Sequence, residues 1–324
     1  MPDGQPIFIL GIAPRSGTNY LSDLLCVHPD CETPAPFLED YLLHHAHHLA
    51  AYANAVSSSW QPRWGVECGH EDRLWRCLGS GLITLLAARA GERRLITKTP
   101  SVRNLPHFFR LFPDARLLLL IRDGRAVVES VAKSFGVRYD WAMHQWARAA
   151  RTIVDFERTV GSAHRSYRIV RYEALCNDLQ TELPDILKFV GLDSAVYDFD
   201  TASNLPVRGS SETSIPSEHS VNWEPLPKSA DFDPVRRWRN WKRFRHERFN
   251  WIAGRSQLQL GYENCIFSGH RPMYAACNVA LDARWLIAGV LNAIRTALIA
   301  AWRNVRKRNA AGEPEISGVD QGRS

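Results

Sequence analysis

The residues Ile7-Phe8-Ile9-Leu10-Gly11-Ile12 form a continuous apolar run, the pattern of a strand buried on both faces. Small and polar residues follow, and then residues 20–26 carry apolar positions at helical spacing. This alternation continues through the first half of the chain. Helical periods cover 37–56 and 72–90, a short strand is expected at 94–97, and 102–111 reads as helix. Residues 116–121 are apolar behind one leading charge, which predicts a central buried strand. Helices are expected at 125–134 and 139–160, a strand at 167–171, and a helix at 183–190 closing on Gly191. Strands alternating with helices predict an α/β fold, a three-layer sandwich with a central parallel sheet.

The pattern changes after Ser203. Residues 203–234 are rich in Ser, Pro, Glu and Asn with no period, as in a long functional loop. A helix rich in Trp and Arg is expected at 235–260, its aromatics packed and its arginines solvated. The boundary falls near 266, with a catalytic domain over 1–266 and an extension over 267–324. In that extension Ile287, Val290, Leu291, Ile294, Leu298 and Trp302 share one helical face, while Asn292, Arg295 and Thr296 interrupt the apolar run. The helix therefore reads as amphipathic rather than spanning. The expectation is a helical appendage that contacts a membrane peripherally, packs on the catalytic domain or forms a homodimer. The polar tail 309–324 reads as disordered.

Composition narrows the class. Among 324 residues, 45% are hydrophobic and 23% charged, which suits a globular protein with a sizeable core. The net charge of +6 is concentrated at 236–248 and 303–308, and it suits an anionic small molecule as well as nucleic acid or a membrane surface. Seven cysteines without a CxxC pair exclude a disulfide framework or zinc finger, so reduced thiols and a cytoplasmic setting are expected. No basic-then-apolar leader precedes the first strand.

The turn after the first strand carries the first candidate chemistry. A strand, a turn of small residues and a helix N-terminus form an anion cradle. Aligned on Gly11, the nucleotide-triphosphate pattern G-x-x-x-x-G-K-[ST] puts Ser16 at the second glycine, Gly17 at the lysine and Thr18 at the hydroxyl. The lysine is absent and Arg15 stands two places earlier. The loop is P-loop-like but fits something other than ATP. A second anion site is suggested by Arg122, at the carboxyl end of the central strand, with Ser130 about two turns into the next helix. The competing reading is a local ion pair between Arg122 and Asp123 and a surface serine.

The two sites together resemble the sulfotransferases that use 3′-phosphoadenosine 5′-phosphosulfate (PAPS). Pro14-Arg15-Ser16-Gly17-Thr18 with His28-Pro29-Asp30, and Phe112-Pro113-Asp114-Ala115 leading into Arg122-Asp123-Gly124-Arg125, look like the tyrosylprotein and bacterial branches. Arg171-Tyr172-Glu173, Phe189-Val190-Gly191-Leu192 and Gly261-Tyr262 extend the similarity over most of residues 5–265. The resemblance implies that Ser16, Gly17, Thr18 and Asn19 cradle the 5′-phosphosulfate, with Arg15 near the bridging or sulfonate oxygens. It implies that Arg122 and Ser130 bind the ribose 3′-phosphate, and that Arg208-Gly209-Ser210 closes over the nucleotide. Lys98 matches a lysine that steadies the transferring sulfonate. Glu39 is the first candidate for general base; Glu32 and a neighbouring histidine are the alternatives.

The implied reaction is in-line transfer to an acceptor hydroxyl of a carbohydrate, lipid, tyrosine or small molecule, with release of adenosine 3′,5′-bisphosphate. No metal is required, and the histidines of His44-His45-Ala46-His47-His48 read as helix surface or cleft lining. Nucleic acid is not an expected partner. Two rivals stand beside this reading: a P-loop kinase or phosphotransferase lacking its lysine, and a non-catalytic membrane-associated adaptor.

Overall fold

A computed structural model describes residues 4–61, 69–88, 91–160, 164–206, 233–267, 269 and 271–310. The expected lid Arg208-Gly209-Ser210 and the tail from 311 onward lie outside them. Among the described residues there are five strands: β1 (Ile7–Gly11), β2 (Cys31–Glu32), β3 (Arg94–Thr99), β4 (Arg116–Ile121) and β5 (Tyr167–Arg171). All pair in parallel in the order β2-β3-β1-β4-β5. The chain thus builds one side of β1, then crosses to the other. The carboxyl ends of β1 and β4 flank that reversal, where open α/β sheets hold ligands.

Period-two alternation explains the layers. Phe8, Leu10, Leu117, Leu119 and Ile121 face one core, while Ile7, Ile9, Ile96, Leu118 and Leu120 face another. The second core is covered by α1 (Thr18–Cys26) and α8 (Leu179–Val190). The first is covered by α2 (Ala46–Ser58), α3 (His70–Ala87), α5 (Gly124–Phe135), α6 (Tyr139–Val160) and α10 (Arg243–Gln259). An apolar residue at every position of β1, and of β4 after its leading Arg116, is therefore what a sheet clad on both faces demands, each large side chain contributing about 1.5–3 kcal/mol by burial.

Several boundaries differ from the periodicity. The helix expected at 37–56 begins only at Ala46, after a short 3₁₀ turn at Leu43–His45. Pro34 and Pro36 remove backbone donors before it, and Tyr41 takes a φ of 49°. The stretch at 102–111 is interrupted by Asn104 at φ 64° and Pro106, leaving a 3₁₀ turn and the single-turn α4 (Phe108–Leu111). The helix expected from 235 starts at Arg243, because the Asp233 carboxylate accepts the N–H groups of Val235 and Arg236 and holds them in a turn. Conversely α8 starts four residues early, with the Asp178 carboxylate accepting from the Thr181 N–H at 3.2 Å. β2, α7 (Tyr172–Asn177) and α9 (Phe199–Ser203) are too short to impose a period.

The chain divides into two compact units, Met1–Cys265 and Ile266–Ser324. The described part of the second is dominated by α11 (Arg271–Ala310), 40 residues long.

Candidate active site

The loop after β1 is shaped by two left-handed residues, Arg15 at φ 72° and Gly17 at φ 100°. At Gly17 this conformation is combined with close packing: a Cβ there would lie 2.3 Å from the Tyr172 ring. Gly17 also stands at the N-cap of α1 and offers no side-chain acceptor. The first helical bond runs from the Leu21 N–H to the Gly17 carbonyl at 3.1 Å, so the N–H groups of Thr18, Asn19 and Tyr20 have no intrahelical acceptor. These donors and the helix dipole would stabilise an anion at this turn. Ser16 is fully buried, and its Oγ has no hydrogen-bond partner among the described residues.

Arg122 lies just past β4, where its Nη1 donates to the Arg15 carbonyl at 2.5 Å and its Nη2 to the Pro234 carbonyl. Its guanidinium sits 4.4 Å above the Tyr172 ring, while its buried Nε has no partner among the described residues. The alternative reading of a local pair with Asp123 does not hold. Asp123 instead caps α5 through the Arg125 N–H at 2.8 Å and pairs with the Arg125 guanidinium at 2.5 Å.

Ser130, fully buried on α5, receives hydrogen bonds from Arg15 Nε at 3.1 Å and Arg237 Nη1 at 2.9 Å. Arg15, expected near the bridging or sulfonate oxygens, therefore reaches Ser130 and ties the loop after β1 to α5. Burial and then the charges of Arg237 and Arg122 push the Arg15 pKa down to about 10. Among the described residues no carboxylate lies within ion-pair distance of Arg15 or Arg122. Clustered cations in a buried wall, with orphaned donors at Ser16 and Arg122, fit an anionic ligand.

A second wall comes from the segment before α2. Asp40 N–H donates to the Lys98 carbonyl at 3.1 Å, and Tyr41 N–H to Thr99 Oγ1 at 3.0 Å. The Asp40 carboxylate accepts from the Thr97 and Thr99 hydroxyls at 2.7 and 2.9 Å and from the Leu42 N–H at 2.8 Å. This clasp ties residues 40–42 to the end of β3 and places Glu39 Oε1 4.0 Å from Lys98 Nζ. Glu39 Oε2 accepts from the Tyr41 hydroxyl at 2.6 Å. Burial and that bond push Tyr41 up to about 12. Glu32 lies on β2 and pairs with Arg93 at 2.7 Å. His44 Nδ1 is 2.8 Å from Ser101 Oγ, with its pKa lowered by burial and then by His45, Arg103 and His47.

Between the walls is a cavity of about 700 Å³. Arg15, Gly17, Thr18, Asn19, Arg122 and Ser130 line one side, and Glu39 and Tyr41 the other. Ser16 is buried beneath the loop, while Lys98 (side chain 12% exposed) sits beside Glu39 and Glu32 lies outside the lining. No group of three or more His, Cys, Asp or Glu suited to a metal occurs among the described residues.

One contributor, Arg237, was missed from the sequence. Arg237 and Arg248 belong to the stretch read as a solvated basic face, yet they are 8% and 2% exposed. Arg237 turns into the cavity, and Arg248 meets Asp140 at 3.3 Å on α6. Tyr172 floors both Gly17 and Arg122, which gives the quoted Arg171-Tyr172-Glu173 triplet a physical role. Arg171 Nη2 donates to the Leu260 carbonyl at 2.6 Å, and Glu173 accepts from the Asp123 N–H at 2.8 Å and the Tyr262 hydroxyl at 2.9 Å.

A sulfotransferase-family model matches residues 6–196. Protein-tyrosine sulfotransferase 2 of Gallus gallus is 27% identical over 202 residues, covering 58% of this chain and 52% of that protein. Nodulation protein NoeE of Sinorhizobium fredii is 33% identical over 141 residues, covering 41% of this chain and 32% of that protein. This chain spans about half the length, or less, of the curated relatives it matches. The solved sulfotransferase domain from the curacin biosynthetic pathway is 18% identical, with a TM-score of 0.50 over 82% of this chain and 100% of that one, a likeness of fold.

Proposed function

The chain belongs to the sulfotransferase family, and from that premise we propose that it moves a sulfuryl group from PAPS to an acceptor hydroxyl. The observation that carries the reading is the buried wall in which Arg15, Arg122 and Arg237 gather around Ser130, next to the uncapped N-terminus of α1. Two joined anion sites suit a nucleotide phosphorylated at both ends of its ribose. A triphosphate loop would need a lysine where Gly17 stands, and a side chain there would collide with Tyr172.

In this reading the N–H groups of Thr18 and Asn19 hold the 5′-phosphosulfate, and Arg122, Ser130 and Arg237 hold the 3′-phosphate. Arg15 bridges the two anion sites rather than serving the sulfonate alone. Bound PAPS supplies an activated sulfuryl group whose leaving group is adenosine 3′,5′-bisphosphate. Lys98 balances charge on the sulfonate as the acceptor oxygen–sulfur bond forms and the bond to the 5′-phosphate breaks. Glu39 takes the proton from the acceptor hydroxyl, held in place by the clasp of Asp40 on Thr97 and Thr99. A reducing, cytoplasmic setting, expected from the scattered cysteines, is part of this proposal.

The test is incubation of the protein with ³⁵S-labelled PAPS and a panel of carbohydrate, lipid, tyrosyl-peptide and small phenolic acceptors. The expected result is one labelled acceptor class with matching release of adenosine 3′,5′-bisphosphate. Thermal stabilisation by ATP–Mg²⁺ with none by PAPS would instead establish the kinase reading.

A further inference from the structure

The feature of the molecule that the proposed sulfuryl transfer leaves unused is the apolar stripe of α11. Leu286, Ile287, Val290, Leu291, Ile294 and Leu298 are between 52% and 67% exposed. At about 100° per residue these positions form one stripe along the helix. Such a stripe on a helix of this length is far more than scattered surface leucines and marks an interaction face.

Its chemistry selects the partner. Over Pro272–Ile299 the helix is long and apolar enough to cross a membrane by length and composition, with a mean hydropathy of 1.2. Charge placement argues against spanning. Arg284 and Arg295 leave only residues 285–294 free of charge between them, whereas a span needs ~20 predominantly apolar residues. Crossing would place Arg295 in the hydrocarbon. Lying flat, the helix keeps Arg295 at the edge of the stripe and lets its head reach the interface. Beyond Trp302, which is 60% exposed at the end of the stripe, the sequence continues Arg303, Arg306, Lys307 and Arg308. An apolar face with an aromatic end and a basic run matches an anionic lipid surface, because each cation near such a surface adds attraction to apolar insertion.

We propose that α11 lies in the plane of an anionic lipid bilayer, with its Leu286–Leu298 stripe among the acyl chains and the basic run over the headgroups. This inference does not depend on sulfuryl transfer, and adenosine 3′,5′-bisphosphate binding by the same preparation separates failure of the two.

The experiment is co-sedimentation of the full chain with phosphatidylcholine–phosphatidylserine vesicles and with pure phosphatidylcholine vesicles. Strong binding to the first, weak binding to the second and release by alkaline carbonate are expected. The variant L291D/I294D should bind the anionic vesicles on the order of a hundredfold more weakly with nucleotide binding intact. The variant R306Q/K307Q/R308Q should lose most of the preference for anionic over neutral vesicles. Retention through alkaline carbonate would overturn the in-plane arrangement in favour of a span. Absence of vesicle binding, with a dimer in analytical ultracentrifugation that L291D/I294D converts to monomer, would overturn it in favour of a second copy of the chain.

Discussion

The two walls of the cavity are built differently. On the donor side Ser16 and Ser130 are fully buried, Arg122 is 4% exposed and Arg237 is 8% exposed. Each side chain there is set by a strand end or a helix face. On the acceptor side Phe37, Leu38 and Tyr41 are 41%, 83% and 42% exposed, and Glu39 is carried by a segment with no regular structure. That segment is fixed at one point, the clasp of Asp40 on β3. On the proposed function, the difference teaches that donor recognition is prebuilt by the sheet, while the acceptor wall is an irregular segment held by a few hydrogen bonds. Donor affinity and turnover should therefore respond to different residues.

The largest separation is expected from Glu39→Gln. Loss of a general base should lower kcat by ~10²–10⁴-fold and leave the Kd for adenosine 3′,5′-bisphosphate unchanged in calorimetry. Full activity would move the base elsewhere, and a matching loss of nucleotide binding would break the comparison between walls.

Arg122→Ala acts on the other wall. It removes charged hydrogen bonds of about 1.5–3 kcal/mol, so nucleotide Kd should rise roughly 10–150-fold with the fold intact by circular dichroism. An unchanged Kd would remove Arg122 from the donor site.

Glu129 tests whether the donor wall rests on a rigid support. It accepts from Trp241 Nε1 at 2.6 Å and the Tyr139 hydroxyl at 2.8 Å, and it pairs with Lys133 at 3.0 Å. Burial raises its pKa, but those hydrogen bonds outweigh the penalty and hold it below the ordinary 4.5. A depressed acid contributes stability that is present above its unfolded pKa and lost as pH falls through its folded one. Glu129→Gln should then cost about 1.5 kcal/mol in urea unfolding at neutral pH, and the gap to wild type should close below pH 4.5. A pH-independent gap would show that the carboxylate's charge is not what matters.

The smallest effect belongs to Arg237→Lys, which keeps the charge but loses the guanidinium geometry toward Ser130. Nucleotide Kd should rise about fivefold, measured by the same calorimetry. No change would mean that charge alone suffices at that position.

The same division explains what could be read from the sequence. β1, the loop through Asn19, α1 and β4 are local in sequence and governed by burial on both sheet faces, so periodicity and spacing exposed them, whereas spacing left Arg122 and Ser130 open and only the family resemblance singled them out. Residues 37–45 were misread as helix because their apolar spacing is real, while Pro34, Pro36 and the long-range bonds of Asp40 decide the backbone. Arg237 was misread because a run of arginines and aromatics looks the same whether one guanidinium turns inward or all stay in water. Only the placement of α5 beneath the Asp233-Pro234 turn brings Ser130 within 2.9 Å of it. Sequence spacing carries contacts within an element; contacts 107 residues apart, as between Ser130 and Arg237, need the fold.

The central claim is that the buried arginine wall reads a 3′-phosphate. Paired calorimetric titrations with adenosine 3′,5′-bisphosphate and adenosine 5′-monophosphate test it most directly. The bisphosphate should bind on the order of a hundredfold more tightly, and Arg122→Ala should erase most of that difference. Equal affinity for the two nucleotides in the wild-type protein would contradict it.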